Sequence, residues 1–300
     1  MKKKQYIRLS TSDIVFDVIN YGFMLLLVFV MLFPFWNTIV ISFNDAVDSI
    51  RGSLYFWPRV FSLYNYKTLL LNDNLINAFW VSVSKTVIVT ILNVFFSTMA
   101  GYILSHKNFV FRKFLTVFLV ATMYVNAGLI PQYFLYRSLG LINRYMVYIA
   151  PAMIGAFNVI VIRTFISSLP DSLEESAKID GAGDMRIMVQ IIIPLCKPVL
   201  ATVALWVAVG TWNSWYDTFI FASSKQSLST LQYEMMKLLA SAYVQSGTSD
   251  PNLRQYAAET VTPNSLRAAI TVIAALPVIF IYPFLQKYFV KGLYLGSIKG

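Results

Sequence analysis

The stretch SLPDSLEESAKIDGAGDMRIMVQIIIPLCKP, residues 168–198, is a charged, glycine-punctuated insert between two apolar runs. Its spacing predicts two short helices with a break between them. Pro170 opens the insert. Ser172 stands three residues before Glu175, the pattern of a capping box, in which each residue satisfies the other's free backbone N–H. A first helix is expected over Leu173–Asp180. Gly181 and Gly183 supply the turn, because a residue without Cβ tolerates the backbone that ends a helix. Asp184 then caps a second helix, which Pro194 is expected to end.

Outside this insert the chain is strongly apolar. Of 300 residues 57% are hydrophobic and 13% charged, and mean hydropathy is +0.63, which excludes an ordinary soluble domain. The net charge of +10 could point to nucleic acid in a soluble protein. Here the basic residues sit at the ends of apolar runs, so membrane topology explains them better, and no nucleic acid partner is expected. A single Cys196 and a single His106 leave no internal disulfide and no cluster to hold a metal. Cys196, between Pro194 and Pro198, reads as a packing residue.

The runs predict an all-α polytopic membrane protein, one transmembrane domain over residues 1–300 with about six spans: 14–43, 75–105, 114–136, 145–166, 198–222 and 266–288. Tyr21–Phe43 carries no charge over 23 residues, enough helix to cross a hydrocarbon core of about 30 Å. It is too long for a signal peptide and reads as an uncleaved first span. Lys85 falls inside the second span and is expected to snorkel or to pack against a neighbouring subunit. Asn126, Gly128 and Pro131 should kink the outer half of the third. Arg163, just past the fourth, is expected to snorkel inward. Pro198 suits the first turn of the fifth, while Pro277 and Pro283 interrupt the sixth. The loop 223–264 holds a candidate amphipathic helix at Leu231–Leu239, and 289–300 forms a tail. With Lys287 at the end of the sixth span counted with the tail, loops on the side of both termini carry thirteen Lys and Arg against eight on the other side. By the positive-inside rule both termini and the 168–197 loop are cytoplasmic.

The order Glu175-Ser-Ala177, Gly181, Ile191-x-Ile193-Pro194 resembles the EAA loop of permease subunits in type I bacterial ABC importers. Ser176 replaces the usual Ala. The runs 128–143, 157–182 and 198–215 are most similar to the carbohydrate-uptake, maltose-permease-like branch, and to its oligosaccharide and polysaccharide subgroup. The resemblance extends from the second span to the last residue. It implies that the loop forms a coupling helix seated in a cleft of an ATPase subunit, with Glu174, Glu175, Ala177, Ile179, Asp180, Gly181 and Ala182 at the contact. From the residues alone, Glu175 equally caps its own helix. The resemblance further implies that Gly296, Lys299 and Gly300 of the tail reach the ATPases, and that roughly Ser241–Val261 contacts a substrate-binding protein. The implied partners are a second homologous permease, two ATPase subunits, an extracellular or periplasmic binding protein and the lipid bilayer. ATP and Mg would sit on the ATPases, with no cofactor on this chain. The implied place is the bacterial cytoplasmic membrane.

No GxxxxGK[ST] pattern occurs, so the chain has no Walker loop to cradle ATP phosphates. No nucleophile–base pair is evident either, and the chain is not expected to be an enzyme. Gly210-Thr-Trp212-Asn213-Ser-Trp215-Tyr216-Asp217 resembles the WN segment of sugar permeases. On an unbroken helix Trp212 and Tyr216 share a face, as do Asn213 and Asp217. Aromatic faces stack on sugar rings, and Asn and Asp bind hydroxyls, so these five residues are candidates for the substrate path, with Tyr124 and Asn126. An interfacial aromatic belt explains the same residues, and in maltose-type relatives the other permease can hold the sugar. Two other functions stay open: an importer of a non-sugar solute, which uptake assays discriminate, and a stand-alone secondary transporter, which would copurify no ATPase.

Overall fold

The computed structural model describes residues 11–52, 54–247 and 262–296. Regular structure among them is helical, apart from one isolated antiparallel bridge between Asn44 and Phe61. The chain divides into two compact units, one of residues 1–69 and 241–272, the other of 70–240 and 273–300.

In the first unit, helix α1 (Thr11–Ser42) is apolar on every face, with Pro34 inside it. A length of about 48 Å follows from the helical rise, more than a bilayer core requires. The polar segment after it is stapled by amides. Asn65 donates to the carbonyls of Ser42 and Asn44 at 3.1 and 3.0 Å. Asn44 donates to Asp48 and accepts from the Val60 N–H, both at 3.0 Å. Asp45 caps α2 (Ala46–Ile50) by accepting from Val47 and Asp48. The Asn44 hydrogen bond and the Arg59 guanidinium hold the Asp48 carboxyl below its ordinary range. Helix α3 (Tyr64–Leu70) closes this segment.

In the second unit, α4 (Asp73–Ser105) is the axis. Its N-cap is Asn72, whose side chain accepts from Asn74 N–H. The expected third span is broken into α5 (Arg112–Tyr124) and α6 (Leu129–Ser138), bent by 118°. The kink expected at 126–131 is therefore a reversal, and 114–136 is no straight span. The expected fourth divides into α7 (Met146–Ile149), a short 3₁₀ turn at Ala150–Ala152, and α8 (Ala156–Ile166), with a 42° bend. After α9 (Ser172–Ile179) comes α10 (Asp184–Ile187), whose N-cap is Gly183 rather than the expected Asp184, and the segment ends at Leu195, one residue past Pro194. A π-turn over Met188–Ile192 leads into α11 (Ile193–Leu195). A wider turn just before Pro194 accommodates the N–H that proline lacks. Helix α12 (Lys197–Asn213) starts with Pro198 in its first turn, at 82° to the preceding segment. It stops nine residues before the expected end, and α13 (Tyr216–Phe221) follows after a break at Ser214–Trp215. Helix α14 (Leu231–Gly247) contains the expected amphipathic segment. Helix α15 (Pro263–Gly296) runs on past 288, so Gly296 is helical, where an extended tail was expected. Lys299, Gly300 and residues 248–261 of the expected binding-protein contact lie outside the described residues. Three helices are long and apolar enough to cross a membrane alone, six spans if each bent pair counts as one.

Close approach of backbones holds α4 to α8. A Cβ on Gly101 would meet Arg163 N at 3.1 Å and Val159 O at 3.3 Å, the small-residue contact that lipid-embedded helices use. Around this crossing lies the core of the unit: Tyr102, Ile162, Ile166, Ala177, Ile187, Met188, Ile192, Cys196, Val199 and Val203. Arg163 does not snorkel as expected. It donates to the Leu104 carbonyl at 3.0 Å and to Thr116 at 3.1 Å, tying together the ends of α4, α5 and α8.

Candidate functional site

Helix α9 ends in a Schellman motif. Ala182 N–H donates to Ala177 O at 2.9 Å and Gly181 N–H to Lys178 O at 3.0 Å. The motif needs a left-handed residue at its pivot, and Gly181 supplies it with φ of +80°. The expected capping box does not form. Ser172 is the first helical residue and makes no cap, while Asp171 at the N-cap has helical backbone angles. The Asp171 carboxylate turns away from the helix to Lys107 Nζ at 2.6 Å, and that hydrogen bond and charge hold it below its ordinary range.

The candidate contact residues divide between two faces of α9. Glu175 is exposed, and Ile179 one turn on is 87% exposed. Asp180 and Gly181 are also exposed. Ala177 points inward and is 7% exposed, packed among the core residues, so its side chain is not part of an outward contact surface. Ala182 is half-buried against the same core. Glu174 turns toward α4, where its carboxylate lies 3.2 Å from His106 Nε2. Leu173, Met185 and Val189 are exposed as well.

The candidate path residues do not form one site. Trp212 is buried, donates its indole N–H to the Ala274 carbonyl at 2.9 Å and meets Phe79 edge-on. Pro277 and Pro283 do not interrupt the sixth run as expected, since α15 continues through both, and the indole bond ties α12 to α15 one turn before Pro277. Trp212 and Tyr216 do not share a face, nor do Asn213 and Asp217, because α12 ends between them with Ser214 extended. Asn213 is exposed and accepts from Gln232 at 3.2 Å. Trp215 packs on Tyr216 and Phe219. Asn126 accepts from the Gly128 N–H at 2.8 Å in the turn between α5 and α6, and Tyr124 beside it is 83% exposed.

Asp217 has a structural partner. Its carboxylate receives Lys85 Nζ at 2.5 Å, Ser214 Oγ at 2.8 Å and the Thr218 N–H at 3.0 Å. Lys85, 2% exposed, also lies over the Tyr148 ring at 4.6 Å. The lysine therefore neither snorkels nor waits for another subunit. Tyr148 extends the network to Thr218 and to the Leu228 carbonyl.

A second cluster was not singled out from the sequence. A cavity of about 370 Å³ opens between α4, α8 and α12, lined by Asn93, Gly155, Asn158, Trp206, Gly210 and Thr211 among others. Asn93 donates to the Ala152 carbonyl that the break before α8 frees, at 2.7 Å, and accepts from Asn158 at 2.8 Å. Phe157 and Trp206 pack at 5.6 Å, both about half exposed. Asn158 Oδ1, Thr211 Oγ1 and Trp206 Nε1 have no hydrogen-bond partner among the described residues. Two amides inside apolar runs were the available signal, since a polar side chain at membrane depth needs a reason.

A sequence profile described as "Binding-protein-dependent transport system inner membrane component" matches residues 93–294. The chain belongs to this family. The permease is 33% identical over 286 residues to the polygalacturonan/rhamnogalacturonan transport system permease protein YtcP of Bacillus subtilis, covering 95% of this chain and 98% of that one. It is 29% identical over 308 residues to the maltodextrin transport system permease protein MdxG of the same organism, covering 97% and 99%. Its fold matches a chain from the crystal structure of a bacterial ABC transporter involved in import of the acidic polysaccharide alginate. The TM-score is 0.84 at 25% identity, covering 94% of this chain and 99% of that one. As a permease of this family it is an integral membrane component of a transporter that works with partner subunits.

Proposed function

We propose that this permease is one of two transmembrane subunits of an ATP-driven importer for an oligosaccharide or polysaccharide delivered by an external binding protein. Helix α9 is the coupling helix. One observation carries the reading: a helix locked by a glycine pivot, seated on the unit's core by Ala177, turns Glu175 and Ile179 outward. An exposed carboxylate beside an exposed aliphatic side chain suits a cleft with a basic residue and an apolar floor, and Gly181 leaves room for close approach. ATP and Mg belong to the partner ATPases, because this sequence has no Walker loop. Both termini are cytoplasmic, on the side where the ATPases bind. The names of the relatives support a glycan as cargo, and so does the lining of the α4–α8–α12 cavity. Trp206 in that lining offers a face to a sugar ring, and the unpaired amide oxygen, hydroxyl and indole N–H offer hydrogen bonds. Left toward lipid, each would be costly.

The test is copurification of the assembled transporter, followed by uptake in proteoliposomes with acidic and neutral glycans. Glu175→Lys should leave the permease in the membrane but remove the ATPase or its stimulation by the binding protein. An unaltered Glu175→Lys complex overturns the coupling assignment. Uptake of amino acids or phosphate, with no glycan transported, overturns the cargo.

A further inference from the structure

The inner side of α9 carries a device that docking on a motor does not require. Two consecutive residues just past the C-terminus of α4 reach it. Lys107 pairs with Asp171 at the start of α9, at 2.6 Å. His106 faces Glu174 one turn later, at 3.2 Å. The two contacts differ in kind. Lys107 and Asp171 are 73% and 69% exposed, His106 and Glu174 only 26% and 22%. Exposed pairs contribute little, so the inner contact carries the weight.

The imidazole is fixed from both sides. Nδ1 lies 2.8 Å from the Tyr102 carbonyl in the last turn of α4, and the ring stands edge-on to the buried Tyr102 ring at 4.6 Å. Since a carbonyl only accepts, Nδ1 carries the proton. The other edge of the ring then opposes the Glu174 carboxylate, off the hydrogen-bond line. Beneath these contacts lies a cavity of about 280 Å³, lined by Asn108, Glu175 and Lys178 as well as the two pairs. Ile166, Leu169 and Ile192 line the same cavity beside the two pairs.

We propose that His106, with Lys107 in support, is a positioning residue for energy coupling. It fastens the coupling helix to the cytoplasmic end of the second span, so that α9 and the foot of α4 move as one body. This rests on the reading of α9 as the coupling helix. A thrust on α9 then passes into α4 as well as through the glycine pivot into α12. The second span, which lines the α4–α8–α12 cavity, is thereby driven directly.

The experiment uses the copurified transporter, with hydrogen exchange of α9 and ATP-driven uptake of pectin and starch hydrolysates as readouts. His106→Ala/Lys107→Ala should raise exchange in α9 while the ATPase still copurifies. Transport per ATP hydrolysed should fall about tenfold, within the usual range of coupling energies. His106→Lys, which places a cation against Glu174, should recover most of both. A purely structural histidine would not be rescued this way. Joining thiols at His106→Cys and Glu174→Cys with a short bismaleimide should leave the cycle running, with buried Cys196 unlabelled. Wild-type exchange and transport in the double variant, or arrest by the cross-link, overturns the proposal. Glu175→Lys in the same assay separates the failures: if it too changes nothing, the coupling-helix reading itself falls.

Discussion

At the scale of single residues, Lys85 and Asp217 show what sequence cannot reveal. They lie 132 residues apart, and nothing in either neighbourhood names the other. A lysine in an apolar run announces only that its charge needs an answer. The answer came from a helix that stops early and turns its aspartate back. Breaking a buried pair by removing one partner is worse than removing both, because the survivor stays desolvated and unpaired. Asp217→Asn should therefore destabilise the permease by about 3 kcal/mol, and Lys85→Met/Asp217→Asn should recover much of that loss. Thermal unfolding of the three proteins in one detergent checks the order. Lys107 and Asp171 give a pH test. The Asp171 carboxyl is held below its ordinary range, so the pair contributes at neutral pH. It is lost only as pH falls through that depressed value, beneath the usual carboxylate range near about 4. Exchange in the first turn of α9, corrected for intrinsic rates, should be alike at pH 7 and pH 5. Lys107→Ala should raise it at both.

At the scale of elements, helix type was legible and helix continuity was not. Apolar runs of sufficient length mark α1, α4 and α15 directly, and Pro198 marks the start of α12. The breaks depend on tertiary partners. Asn93 waits one helix away to take the carbonyl freed before α8, and Lys85 waits on α4 for the aspartate that the break after α12 turns back. Without those partners an apolar run reads as one rod, so 198–222 looks continuous and puts Trp212 and Tyr216 on one face, which the break at Ser214 undoes. The glycine pivot was legible because its physics is local. A Cβ on Gly181 would meet no atom within 4 Å, so the cost of Gly181→Ala is backbone strain alone, about 1 kcal/mol. That substitution should loosen the Schellman bonds and lower stimulated ATP hydrolysis several-fold without loss of assembly. Gly101→Leu is the contrasting case. Its larger side chain would meet the α8 backbone, where even a Cβ has only 3.1 Å. Failure to accumulate in the membrane is the expected outcome, read by immunoblot against wild type.

At the scale of the whole molecule, α4 acts as a ruler. Near its start Asn77 donates to the Ser227 carbonyl at 3.1 Å, and just past its end His106 meets Glu174. Between positions 77 and 106 an α-helix rises about 44 Å, more than the roughly 30 Å of a hydrocarbon core. The turn holding Lys225 and the helix holding Ile179 therefore belong on opposite sides of a bilayer that α4 crosses, whatever the broken spans do between them. The distribution of Lys and Arg predicts the direction, with α9 inside. Single cysteines at Asn108, Arg144, Ile179 and Lys225 all occupy exposed positions, while native Cys196 is buried and should stay silent. In intact cells a membrane-impermeant maleimide should label Arg144→Cys and Lys225→Cys. Asn108→Cys and Ile179→Cys should react only after permeabilisation, and Ile179→Cys should be shielded again when the ATPase is bound. Labelling of Ile179→Cys from outside would put the exposed face of α9 where no cytoplasmic motor can reach it. A pattern with all four sites on one side would mean instead that α4 does not cross, and the six-span reading would fail with it.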